Sequence, residues 1–255
     1  MDYCKKVKQA TGKWGCSFPP AGNTAAIYWH NWAAGNNVTL VDVQKAKTNV
    51  TSADALEVSR FLEDVIVRQE LWVLANITRD GRPPPDGTPF ASGSAAFETQ
   101  LPATLQTWDA MKLNAGVAPM PTKKRSSSYA IPDHVIVFKT GKGPKEAAAI
   151  QFGLWFAKPE TQVLYATLTN RSPQYADARK LPAFQQYLKA DPRVEVFENA
   201  VPKAEPYAFF PRNGDAYTTM GKYVADALMG KISLQTAHTQ ADREIQVILD
   251  EVLKK

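Results

Sequence analysis

The chain has 255 residues, 44% of them apolar, with 30 basic and 25 acidic side chains and a formal charge of +5. That length suits one large domain or two modest lobes around a real core, and no run approaches the eighteen apolar residues that a membrane span needs. The basic residues are scattered among acids, so the densest run, TKKRSSS at 122–128, reads as a solvated loop and not as a nucleic-acid patch.

A helical pattern is under way from the first residue, with Tyr3, Val7 and Ala10 near one face and lysines on the other. No capping residue and no signal peptide precedes it. Cys4 falls on this helix and Cys16 on the strand-like WGCSF. Their spacing fits neither a zinc site nor a redox pair, which leaves two readings: a local disulfide in an oxidising compartment, or two buried thiols. Residues 22–34 form an aromatic-rich helix, VTLVDV a strand, and 52–71 a strongly amphipathic helix. In the last, Ser52 is the N-cap, and Leu56, Phe61, Val65 and Ile66 lie on the apolar side.

The stretch TRDGRPPPDGTP at 78–89 excludes helix and central strand and is expected to be a surface loop. A buried strand, AAFET, follows, then a helix with Pro102 in its first turn that runs to about Met111. AGVAPMP and SSSYAIPDHVIVFK read as strands, the second dense in β-branched residues. From Pro144 onward the pattern is helical, with prolines at several helix starts. In the last helix Leu234, His238, Ala241, Ile245, Ile248 and Val252 make a core-facing stripe, on which His238 reads as a core residue. The sum is mixed α/β, interleaved in the first half and helical in the second.

Catalytic templates are missing. There is no H-E-x-x-H, G-x-S-x-G or G-x-G-x-x-G, and TGKGPKE at 140–146 lacks the phosphate-loop spacing. His30, His134 and His238 are far apart, with no Cys/His/acid cluster at metal-ligand spacing. Asp133 and His134 are neighbours on a strand and point to opposite faces, so they make no acid–base pair with each other. The chain therefore reads as a binding protein with no catalytic residues, no cofactor and no metal. The N-x-S/T triplets at Asn37, Asn49, Asn76 and Asn170 would matter only in a eukaryotic secretory pathway, to which nothing else points.

Aromatic residues point to a ligand. YWHNW holds Tyr28, Trp29 and Trp32, of which the tryptophans fit a core role. PYAFFPRNGDAY sets Tyr207, Phe209, Phe210 and Tyr217 around Arg212, Asn213 and Asp215. Flat rings pack on the C–H faces of sugars while Asn, Asp and Arg take hydroxyls, and a helix start offers free N–H groups. For Tyr217, core and site readings both stand.

Several stretches resemble the solute-binding proteins of carbohydrate-type ABC transporters, the group that includes maltose-binding protein. PFASGSAAFETQLPATLQTW is similar to the family's F-x-x-G-x-A-A-M segment, AGVAPMP to its short strand ending in P-x-P, and IPDHVIVFKTGKGPKEAAAIQFGLWFAKPETQVLYATLTNRSP to its strand, K-N-K-E-A-A helix and hinge segment. YTTMGKYVADALMGKISLQTAHTQADREI is similar to its C-terminal helix pair. The resemblance implies the type II periplasmic-binding-protein fold: two α/β lobes closing on a ligand that is then delivered to the transmembrane subunits of an ABC permease. It implies a sugar, sugar derivative or polyol as ligand, no nucleic acid, and a periplasmic or extracellular, membrane-associated place in a bacterium.

Carried over position by position, the resemblance puts Phe18, Asn23, Thr24, Asp133, His134, Asn170, Arg171, Arg212, Asn213, Asp215 and Tyr217 at the ligand. Leu101, Pro102 and Ala103 stand where the family often has a stacking tryptophan, which argues against a maltodextrin-like ligand. The helix at residues 2–11 matches an internal helix of the family, so the chain is expected to be N-terminally truncated. Residues 1–116 would begin the C-terminal lobe, 117–170 would be a remnant of the N-terminal lobe with the hinge, and 171–255 would be the helical end of the C-terminal lobe. The alternative is a truncated remnant or self-associating module that binds no ligand.

Overall fold

In a computed structural model of the chain, residues 1–75, 88–139 and 143–253 are described. Most of the proline-rich stretch at 78–89, the triplet at Asn76 and the start of TGKGPKE lie outside them. The chain divides into two compact units, one of Met1–Leu101, Met120–Tyr129 and Lys203–Lys255, the other of Pro102–Pro119 and Ala130–Pro202.

The first unit begins with helix α1 (Asp2–Thr11), closed by Gly12 in the left-handed region at φ 70°, whose N–H bonds to Lys8 O. Cys4 faces inward against Gly15, where an added Cβ would lie 2.4 Å from the Cys4 Cβ. Strand β1 (Cys16–Phe18) then pairs in parallel with β4 (Trp72–Leu74), Phe18 opposite Leu74. Cys4 and Cys16 are free buried thiols, and burial pushes that of Cys16 up to about 12.

Helix α2 (Gly22–Gly35) buries Ala25, Ile27, Trp29 and His30, residues on every side, which makes it the central helix of this unit. Helix α10 (Asn213–Leu228) packs on it, and α11 (Leu234–Leu253) lays its apolar stripe beside α10 and α3 (Ala53–Glu63). Ser52 caps α3 by accepting the Ala55 N–H at 3.2 Å. A wider turn, Asp64–Arg68, carries the helix on, so it ends short of residue 71. A hairpin of β2 (Val41–Asp42) and β3 (Lys47–Thr48) precedes α3, and VTLVDV contributes only its two residues to it.

His238 is a core residue, as its place on the stripe predicts. Its Nδ1 meets the carbonyl of Val50, an acceptor, so Nδ1 carries the proton and Nε2 accepts. Ser59 Oγ then donates to Nε2 at 2.7 Å and accepts from Trp29 Nε1 at 2.8 Å. This chain fastens α2, α3 and α11 together.

In the second unit, α4 (Thr104–Ala110) is clamped to α9 (Pro192–Ala200) by Arg193, which reaches both carboxylate oxygens of Asp109 at 2.8 and 2.9 Å. Helices α6 (Pro159–Thr169), α7 (Ala176–Lys180) and α8 (Pro182–Ala190) enclose a small core of Val163, Ala166, Ala178 and Phe184. Helix α5 (Pro144–Phe156) buries no residue.

Three strand expectations fail. AAFET has only an isolated bridge, Trp14 with Ala95. AGVAPMP has no regular structure, and in SSSYAIPDHVIVFK only β5 (Tyr129–Ala130) is a strand, paired with β6 (Glu205–Pro206). A run of β-branched residues becomes a strand only when a neighbouring backbone pairs with it.

Candidate functional site

Helices α2 and α10 are antiparallel, since Gly221 meets Gly22 while Tyr217, one turn earlier, meets His30. The selected residues of the first unit therefore fall in two patches. Asn23 and Thr24 stand half-buried at the start of α2 beside the middle of α10. Arg212, Asn213 and Asp215 stand at the start of α10, toward the far half of α2. The eight residues from Gly22 to His30 span about 12 Å.

At the start of α10, Arg212 is in the left-handed region at φ 61° and donates to Asp215 at 2.8 Å, and it also pairs with Glu251. Asn213 Nδ2 donates to Ala208 O at 3.0 Å, tying the Tyr207–Phe210 segment to the helix. Tyr217 is 0% exposed. Its ring stacks on Tyr207 at 4.2 Å and lies parallel to His30 at 5.9 Å, with Tyr129 alongside. Phe209 packs edge-on against Tyr207 at 5.6 Å and is 52% exposed, which makes it the open ring of this cluster. Phe18 is fully buried, edge-on to Tyr28 at 6.2 Å.

Burial sets the titration of this cluster. It pushes the Tyr217 phenol up to about 12. It lowers His30 to about 3, helped by the positive charge of Arg125, so the imidazole is neutral at physiological pH. His30 Nε2 and Asn23 Oδ1 are among the buried side-chain atoms that have no hydrogen-bond partner among the described residues.

In the second unit Asp133 and Arg171 form an ion pair at 2.5 Å. Tyr165 Oη donates to the same carboxylate at 3.4 Å, and Gln174 bonds to the Asp133 carbonyl. Asn170 ends α6 in the left-handed region at φ 55° and accepts from Tyr187 Oη at 2.5 Å. His134 is exposed next to Asp133. The structure thus brings together Asp133 with Arg171, and Arg212 with Asp215, pairs that neutralise one another. Phe209 is the residue that sequence reasoning noticed as an aromatic and did not select. Its signal was its place in PYAFFP just before the polar helix start. A hollow of about 290 Å³ bounded by Leu56, Arg60, Glu63, Arg68, Leu234 and Gln235 includes none of the selected residues. No group of three or more potential metal ligands occurs among the described residues.

The model of the family described as bacterial extracellular solute-binding protein matches residues 1–193. The chain belongs to that family. Solved structures agree in fold. The cyclic alpha-maltosyl-1,6-maltose binding protein of Arthrobacter globiformis superposes with a TM-score of 0.80 at 14% identity, covering 98% of this chain and 63% of that one. UgpB of Mycobacterium tuberculosis, solved with glycerophosphocholine, gives 0.77 at 15%, covering 98% and 62%. The maltose-bound MalE3 of T. maritima gives 0.74 at 17%, covering 97% and 63%. The fold is therefore that of the type II periplasmic binding proteins, and the chain spans under two thirds of the length of these structures. No curated protein matches the sequence significantly.

Proposed function

We propose that this member of the solute-binding family is the substrate-binding component of an ABC importer, taking a sugar, sugar derivative or polyol and delivering it to the permease outside the cytoplasmic membrane. The first unit would be the body of the C-terminal lobe, and the second would belong to the N-terminal lobe. The observation that carries the reading is the half-exposed ring of Phe209 on a buried aromatic stack, beside Asn213, Asp215 and Arg212 at a helix start. Such a surface offers a flat apolar face to C–H groups and directional partners to hydroxyls. Tyr217 and Phe18 would act from beneath, fixing the shape of the wall without touching the ligand. Asp133, His134, Asn170 and Arg171 would supply polar contacts from the second unit, and Asn23 and Thr24 from the start of α2.

Binding proteins of known ligand that share the fold were solved with maltose and with glycerophosphocholine. A neutral glycan and a phosphodiester polyol are accordingly the two ligand classes to try first. Thermal-shift measurements across sugars, polyols and glycerophosphodiesters test the reading. A shift with one class that is lost in Phe209→Ala supports it, and no shift with any of them opposes it.

A further inference from the structure

In the first unit the chain just before Glu98 runs parallel to β1. Trp14 bridges to Ala95, and the N–H groups of Ala96 and Phe97 bond to the carbonyls of Trp14 and Gly15 at 3.0 and 2.9 Å. Strand β4 is parallel to β1 as well, so the three segments finish at one edge, at Phe18, Leu74 and Glu98. In open parallel sheets that carboxyl edge is where ligands sit. Helix α2 starts from the same edge. Tyr28, one turn after Thr24 on the same face of α2, donates to the Thr99 carbonyl at 2.5 Å. Burial, and then the nearby charge of Glu98, push the Tyr28 phenol up. Glu98 is thereby set beside the helix start that carries Asn23 and Thr24.

Glu98 is a half-buried carboxylate with no cation paired to it among the described residues. Its Oε2 accepts from Thr88 Oγ1 at 2.8 Å, and its Oε1 from Gln100 Nε2 at 2.9 Å. Burial pushes its pKa up, and these two donors oppose the rise. A carboxylate has about four lone-pair sites, so room remains for hydroxyl hydrogens of a ligand. The arginines among the candidate residues bring no spare positive charge. Arg212 is matched by Asp215 and Glu251, and Arg171 by Asp133. An anionic group entering beside Glu98 would meet like charge in a partly dry place, where repulsion is strong. A neutral polyhydroxyl compound would instead gain charge-assisted bonds. We infer that Glu98 is a specificity-determining contact of the binding site, accepting ligand hydroxyls and selecting a neutral sugar or polyol over its phosphate ester. This deepens the proposed function and rests on it.

Isothermal titration in a mildly alkaline buffer, where carboxyl groups are ionised, tests the inference. The probes are neutral sugars and polyols, among them glucose, maltose and glycerol, each set against its phosphate monoester. The neutral member of a pair is expected to bind at least about tenfold tighter than the ester. Glu98→Gln keeps the size of the side chain and removes the charge. It should weaken the neutral ligand several-fold and tighten the ester, so that the gap narrows to within about threefold. A role confined to holding Thr88 and Gln100 would weaken both members together and leave the gap as it was. An ester that binds the unaltered protein as tightly as its neutral partner overturns the inference, whatever the variant does to folding. So does a gap unchanged in Glu98→Gln. Both of those results leave the proposed function standing, because a ligand is still bound. No heat from any compound sinks the proposed function, and the inference with it.

Discussion

A Cβ on Gly221 of α10 would lie 1.8 Å from the carbonyl oxygen of Gly22 at the start of α2. The two backbones touch there, and only a glycine permits it. Gly221→Ala must push the helices apart, and we expect a loss of about 2–3 kcal/mol, within the range for overpacking. Urea denaturation reads it as a lower midpoint at unchanged slope.

The Ser59 hydroxyl joins Trp29 and His238 in the core. Ser59→Ala leaves an indole N–H and an imidazole nitrogen buried without a partner. Each such group costs about 1–3 kcal/mol, and the same denaturation experiment checks the sum. A Thr at this position, which keeps the hydroxyl, should lose less.

Acid should weaken the fold through its buried histidines. Burial lowers His30 to about 3 and also lowers His238. In the unfolded chain both titrate near the ordinary value of 6.5. Between that value and the folded one, the unfolded state holds more protons, so stability is full above pH 6.5 and falls as pH drops toward 3. The His30 share is on the order of 5 kcal/mol across that window. Denaturation at a series of pH values should show the slope, and His30→Phe should flatten it.

Phe209 and Tyr217 should separate ligand binding from stability. Phe209 is half exposed, so Phe209→Ala should change stability by less than about 1 kcal/mol while weakening the ligand. Tyr217 is wholly enclosed by Tyr207, His30 and Tyr129. Tyr217→Ala should cost about 3–5 kcal/mol, as large-to-small aromatic changes in cores do. Differential scanning calorimetry of the two variants distinguishes these outcomes.

The helices were legible in the sequence because each carries its own signal. Ser52 marks a start by its side chain, and the stripe through His238 and Ile245 marks a buried face. The strands were legible only in part: WGCSF holds β1 and VTLVDV holds β2, but propensity does not state a partner. Residues 135–139 are β-branched and aromatic in the manner of a strand, yet they form no regular strand. At the candidate site, the order PYAFFPRNGDAY announced aromatics beside a polar helix start. It could not say that Tyr217 turns inward and Phe209 outward, which is decided by the packing of α10 on α2. Nor could it pair Asp133 with Arg171, 38 residues apart in sequence and joined by the fold of the second unit.

Isothermal titration of the protein with sugars, polyols and glycerophosphodiesters tests the central claim most directly. The account predicts saturable heat with at least one compound at a stoichiometry near one, diminished in Phe209→Ala and in Asp215→Ala while both variants remain folded. No heat from any of these compounds, or heat unchanged in both variants, would contradict it.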